Sequence, residues 1–126
     1  MTSPVTERTA KAVPAERAWG YQQTVPGGGT VVVMRDAGAF GSGCYFGVFI
    51  NGEAAARIAP GEIVRFQLKA GEHLVGMGGD PAGRALCALD GVPFREVQAT
   101  LEPGQKRKYR VSGDMGAGFS ISPTSL

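Results

Sequence analysis

Asn51-Gly52 lies between two apolar runs, Cys44–Ile50 and Ala54–Ile58, and it restricts the fold more tightly than any other dipeptide in the chain. A two-residue type I′ turn needs positive φ at both central positions, and Asn followed by Gly tolerates that best. The turn predicts a hairpin in which Ile50 faces Glu53, Val48 faces Ala55 and Phe46 faces Arg57. Cys44, Phe46, Val48 and Ile50 then point inward. Tyr45, Phe49, Ala54, Ala56 and Ile58 occupy the other face, while Glu53 and Arg57 reach solvent.

The same punctuation recurs along the chain. Twenty glycines and eight prolines among 126 residues follow no collagen-like period. They separate short β-branched and aromatic runs, the pattern of an all-β domain. Strands are expected at Tyr21–Val25, Thr30–Arg35, Glu62–Leu68, Glu72–Met77, Arg84–Leu89 around Cys87, Phe94–Leu101, Lys106–Val111 and Gly118–Ser122. Pro14–Gly20 reads as one or two helical turns, with Pro first and Gly as the stop. The expected fold is a single antiparallel β-sandwich of seven to nine short strands, Ig-like or PEGA-like, over residues 13–126. Residues 1–12 are expected to be disordered or loosely attached.

Composition narrows the function classes. A formal net charge of +2 gives no electrostatic case for nucleic acid. No apolar run approaches the roughly 18 residues of a transmembrane helix. The two cysteines, Cys44 and Cys87, form a disulfide, stay as separate buried thiols, or supply half of a metal site. One histidine and no C-x-x-C argue against zinc. A bridge closing about 43 residues would stabilise the fold by roughly 4 kcal/mol and implies an oxidising compartment. A nucleophilic Cys44 would need His73 as its base. Asp36, Asp80, Asp90 and Asp114 fall in expected loops without calcium-loop spacing, and turn chemistry accounts for them. Gly38–Gly43 lacks both the P-loop spacing and a following helix. Lys106, Lys108 and Arg110 share one face of a strand, with Arg107 and Tyr109 on the other. That basic face is either a solvated edge or a contact for anionic lipid or polysaccharide. Trp19, Tyr21, Tyr45 and Phe49 are candidate ligand contacts if exposed.

Several motifs occur in a characteristic order. Val48-Phe49-Ile50-Asn51-Gly52 is followed by Pro60-Gly61-Glu62, Ala70-Gly71-Glu72-His73, and Glu102-Pro103-Gly104 ahead of Lys108-Tyr109-Arg110-Val111. This layout resembles the small, uncharacterised β-sandwich domains of Gram-negative envelope lipoproteins, with a PEGA-like arrangement, over roughly residues 10–124. Arg35-Asp36 with Gly41-Ser42-Gly43-Cys44 and Leu86-Cys87 resembles a subgroup of them. The resemblance implies a β-sandwich, an envelope location and no established reaction. It departs at the N-terminus, where Met1–Arg8 is polar and has neither an apolar signal core nor a lipobox cysteine. If a signal peptide has been removed ahead of Met1, the chain belongs to the periplasm or, as a lipoprotein, the outer membrane. Otherwise it is cytoplasmic. The expectation is a non-catalytic monomer, without cofactor or metal, that binds or scaffolds an unknown envelope protein or polymer and not nucleic acid. A small-ligand or carbohydrate-binding module is the alternative, and a hydrolase using Cys44 or loop carboxylates ranks last.

Overall fold

β-Branched runs and aromatic residues at alternating positions make nine strands among the described residues, as the computed structural model shows. It describes residues 1–38, 43–88, 91–114, 116 and 118–126. The strands are β1 (Lys11–Ala12), β2 (Gly29–Arg35), β3 (Phe46–Ile50), β4 (Glu53–Ile58), β5 (Glu62–Leu68), β6 (Gly71–Gly78), β7 (Arg95–Leu101), β8 (Lys106–Asp114) and β9 (Gly118–Pro123). Two sheets form a sandwich, one in the order β1-β5-β2-β8-β9 and the other β4-β3-β6-β7. Among the described residues, only β1–β5 and β2–β8 pair in parallel.

The core fills the space between the sheets. Val31, Val33, Phe66, Tyr109 and Val111 project from the larger sheet, and Phe46, Val48, Ile50, Val75 and Met77 from the smaller. All are essentially inaccessible to solvent. Burial pushes the Tyr109 hydroxyl pKa above its ordinary value. Strand β2 is apolar on both faces, because Val32 and Met34 on its outer side are covered as well. There they join Ile63, with Val5 and Ala10 packed over them. Covering side chains of this size stabilises by roughly 1.5–3 kcal/mol each.

That cover is the N-terminal segment expected to be loose. Thr2 is buried; its hydroxyl donates to Asp36 Oδ2 at 2.7 Å and accepts from the Gly113 N–H at 2.9 Å. Ser3 exchanges backbone hydrogen bonds with Ala37. The Glu7 carboxylate lies 3.0 Å from Lys106 Nζ and 3.3 Å from Arg65. Polar composition suggested disorder, but the polar residues here satisfy sheet groups while Val5 and Ala10 seal the apolar ones.

The central hairpin turns at Asn51 and Gly52, with φ of 51° and 82°. Asn51 is fixed twice, since its Oδ1 accepts from Leu74 N–H and its own N–H donates to Leu74 O. Ile50 pairs with Glu53 as expected, but the register then slips by one. Phe49 faces Ala54 and Val48 faces Ala56, leaving Ala55 as a bulge. Past it, Phe46 faces Ile58 rather than Arg57. Ala56 and Ile58 therefore join the core with Phe46 and Val48, and Arg57 moves opposite Gly47, outside. Of the inward set expected, Phe46, Val48 and Ile50 are buried in the core, whereas Cys44 is half-buried and outside it.

Two expected strands are absent. Tyr21–Val25 is irregular, with Tyr21 at φ 59°. Around Cys87 the chain makes a 3-10 turn, Ala85–Ala88, whose short apolar sequence fits a turn as well as a strand. The helical turn expected over Pro14–Gly20 is a 3-10 turn at Ala15–Arg17. Cys44 and Cys87 are bridged, with Cα atoms 5.5 Å apart, so neither separate thiols nor a half metal site is present. The bridge ties the segment between β6 and β7 to the start of β3. Arg35 is buried near this end and donates to Cys44 O and Ile58 O, each at 2.9 Å. Its guanidinium lies 3.5 Å above the Phe46 ring. Among the described residues, no helix is long and apolar enough to cross a membrane.

Candidate functional site

The segment from Lys11 to Gln23 runs along one side of the sandwich and seals two sheet edges. Val13 N–H donates to Ile63 O, and Tyr21 O accepts from Gln67 N–H, both on β5. Between them the chain crosses to β4, where the bulged Ala55 carbonyl accepts from Trp19 N–H at 2.8 Å. The crossing is anchored by Arg17, which grips Glu62 through two hydrogen bonds of 2.7 Å and donates to Arg57 O. Burial opposes the charge on Glu62. The Arg17 guanidinium and the Ala59 N–H outweigh it and hold the carboxyl below its ordinary range.

This path sets Trp19 and Tyr21 side by side. Trp19 is 47% exposed, yet its indole N–H donates to Glu16 O at 3.0 Å, so the ring is held in place. Tyr21 turns inward, edge-on to Phe66, and its hydroxyl donates to Glu53. Burial, then the Glu53 charge, raises its pKa. Trp19, Tyr21, Gln22, Gln23, Val25 and Gln67 line an open groove of about 430 Å³. Gln22 Nε2 donates to Arg65 O, and Gln67 Oε1 accepts from Thr30. The groove offers one fixed aromatic face beside amide groups and carries no formal charge on these six residues.

Tyr45 is not part of that groove. Its ring is clamped between Arg17 and Arg57, at 4.4 and 4.5 Å from the ring centre. Arg57 makes a two-pronged pair with Asp80 at 2.8 Å. Those hydrogen bonds keep Asp80 ionised below its ordinary range and raise Arg57. Tyr45 thus joins the strap to the disulfide-bound segment. Phe49 also lies elsewhere, 5.1 Å from Phe94 on the outer face of the smaller sheet. A Cβ at neighbouring Gly47 would stand 2.7 Å from the Phe49 ring and 2.9 Å from Gly79 O, so the ring rests on bare backbone.

The basic face is occupied by the chain's own acids. Glu7 meets Lys106 and, at 3.4 Å, Lys108, while Arg110 grips Asp36 at 2.6 Å. Hydrogen bonding from Lys106 holds Glu7 low, and Asp36 raises Arg110. Arg107 and Tyr109 take the opposite side of β8, and Tyr109 is buried. Sequence reasoning missed Glu7 because its partners lie far along the chain. It also missed Arg17 and the glutamines, although Gln22-Gln23 directly follow the Trp19–Tyr21 pair that was singled out.

The catalytic candidates separate. Cys44 has no thiol in the bridged chain. His73 Nε2 lies 2.7 Å from Lys69 O and so carries the proton; Nδ1 accepts from Asn51. Asp36 and Asp80 are held by arginines, and Asp114 accepts from Gly116 N–H. Asp90 and the Ala39–Ser42 part of the glycine-rich loop lie outside the described residues. Among the described residues, no three His, Cys, Asp or Glu side chains are grouped to hold a metal. No family model, no curated protein and no solved structure matches this chain.

Proposed function

We propose that this chain is a non-catalytic binding domain of the bacterial cell envelope and that it takes a neutral carbohydrate in the Trp19 groove. The observation that carries the reading is the indole of Trp19, half-exposed yet fixed by its hydrogen bond to Glu16 O. An aromatic face with negative π-density suits the polarised C–H face of a sugar ring. Gln23 and Gln67 supply amides that suit hydroxyls, and these lining residues add no charge that would demand a charged ligand. The Cys44–Cys87 bridge supports an oxidising compartment, as does the PEGA-like layout of the turns. Anionic lipid or polysaccharide at Lys106, Lys108 and Arg110 is less favoured, because each of these cations is already paired with Glu7 or Asp36.

Trp19 is the only tryptophan, so its fluorescence reports the groove directly. Neutral oligosaccharides, including fragments of envelope polymers, are expected to quench or shift the emission with Kd near a millimolar, about −4 kcal/mol. Trp19→Phe should retain weak binding by calorimetry, and Trp19→Ala should lose it. If no glycan in a broad panel changes the emission or the amide NMR spectrum at about ten times that concentration, the groove is not a carbohydrate site.

A further inference from the structure

A two-sheet sandwich has four edges, and this chain treats them unequally. The β5 edge is filled by β1, Tyr21 O and the Gln22 side chain. The β4 edge is filled by Arg17, Trp19 and Gly20. The β9 edge is blunted by Pro123. This residue sits opposite Tyr109, whose neighbour Lys108 faces β9 through Thr124, so the missing N–H of Pro123 falls on the outer side. Among the described residues, the β7 edge carries just one such device, Arg107 on Thr100 O. It runs for seven residues with no register break, and it contains neither proline nor lysine.

The ladder shows which groups it presents. Leu74 turns both its N–H and its C=O toward Asn51, away from β7. Gln98, opposite Leu74, therefore turns its own backbone groups outward, and so do Glu96 and Thr100. Among the described residues only Thr100 O is engaged, by Arg107 Nε at 3.0 Å. We propose that β7 is the interface for a second copy of this chain, paired antiparallel about Gln98.

Self-complementarity selects that occupant. Pairing about Gln98 sets Gln98 against Gln98, each amide already donating to Glu72 of its own copy at 2.7 Å, and Glu96 against Thr100 of the second copy. Arg107 already stands at Thr100, so each Glu96 arrives beside an arginine, twice by symmetry. Glu96 makes no ion pair among the described residues, so its carboxylate is available. The two smaller sheets would then run as one continuous sheet. This departs from the monomer expected from sequence, and it does not depend on the Trp19 groove.

Sedimentation equilibrium over micromolar to millimolar concentrations tests the proposal. The wild-type mass should rise from 13.1 kDa toward twice that value. Gln98→Lys places an ammonium on each side of the axis, partly offset by the neighbouring Glu72, and should weaken the dimer severalfold with an unchanged melting temperature of the monomer. Glu96→Arg should weaken it similarly, and adding Arg107→Glu should restore it. Gln98→Cys should cross-link under mild oxidation, since facing Cα atoms lie about 5.5 Å apart in such a pair. A chain that stays monomeric throughout overturns the proposal. So does a dimer that ignores Gln98→Lys and leaves Gln98→Cys uncross-linked.

Discussion

Removing the Cys44–Cys87 bridge by the double change Cys44→Ala and Cys87→Ala is the perturbation whose size the structure sets most directly. The bridge spans 43 positions, and closing such a loop in the unfolded chain corresponds to roughly 4 kcal/mol in the entropy model. The native state recovers part of that. The segment between β6 and β7 exposes Pro81, Ala82, Arg84 and Ala85, and Leu86 is 82% exposed, so once the bridge is gone its first half is held mainly by the Arg57–Asp80 pair, while Val92 and Phe94 still pack at its far end. Released, it gains freedom that offsets some of the loss. The net destabilisation should be about 2–3 kcal/mol, lowering Tm by about 10 °C for a chain of this length. Urea unfolding followed by circular dichroism, with the bridged wild type as reference, measures it. The m-value should rise, because the uncrosslinked unfolded chain exposes more surface. A loss below about 1 kcal/mol with an unchanged m-value would refute the reasoning, since the bridge would then not be constraining the unfolded chain.

Gly52→Val forces a β-branched residue to a φ of 82° at the hairpin tip, although the space around it is open. The strain should lower stability by about 1–2 kcal/mol, read as a shifted denaturant midpoint with the m-value preserved. Acid should destabilise the fold through Glu7, Glu62 and Asp80, all held below their ordinary values of 4.5, 4.5 and 3.8. Because the unfolded chain takes up these protons first, their contribution is complete above those values. It is lost as pH falls through and below them, and an acid midpoint unmoved by Asp80→Asn combined with Glu62→Gln would contradict this.

The strands that could be read from sequence were those with strong local signals. Glu62–Leu68 alternates cleanly, Thr30–Arg35 is β-branched, and Asn51-Gly52 admits one turn, so each appears where expected. What stayed hidden was set by distant residues. The Ala55 bulge has no signature among three consecutive alanines, and its use becomes apparent only when Trp19 N–H reaches its carbonyl. The Cys87 turn looked like a strand because a short apolar run suits either. For the candidate site, Trp19 and Tyr21 were visible as aromatic neighbours. Whether Tyr45 joined them depended on Arg17 and Arg57, which converge on it from separate elements.

The N-terminal cover has a consequence for the order of events in folding. Its contacts are among the longest in the chain, with 111 positions between Thr2 and Gly113 and 99 between Glu7 and Lys106. The N-terminal residues thus dock on a strand that is synthesised about a hundred positions after them. Until β8 arrives, the Thr30–Arg35 run lacks its parallel neighbour, and the lid over Val32 and Met34 has just its anchors on Ala37 and β5. A nascent chain therefore displays a sticky, strand-competent stretch for most of its synthesis. Pairings this remote place folding in the millisecond-to-second regime, where a holding chaperone has time to act.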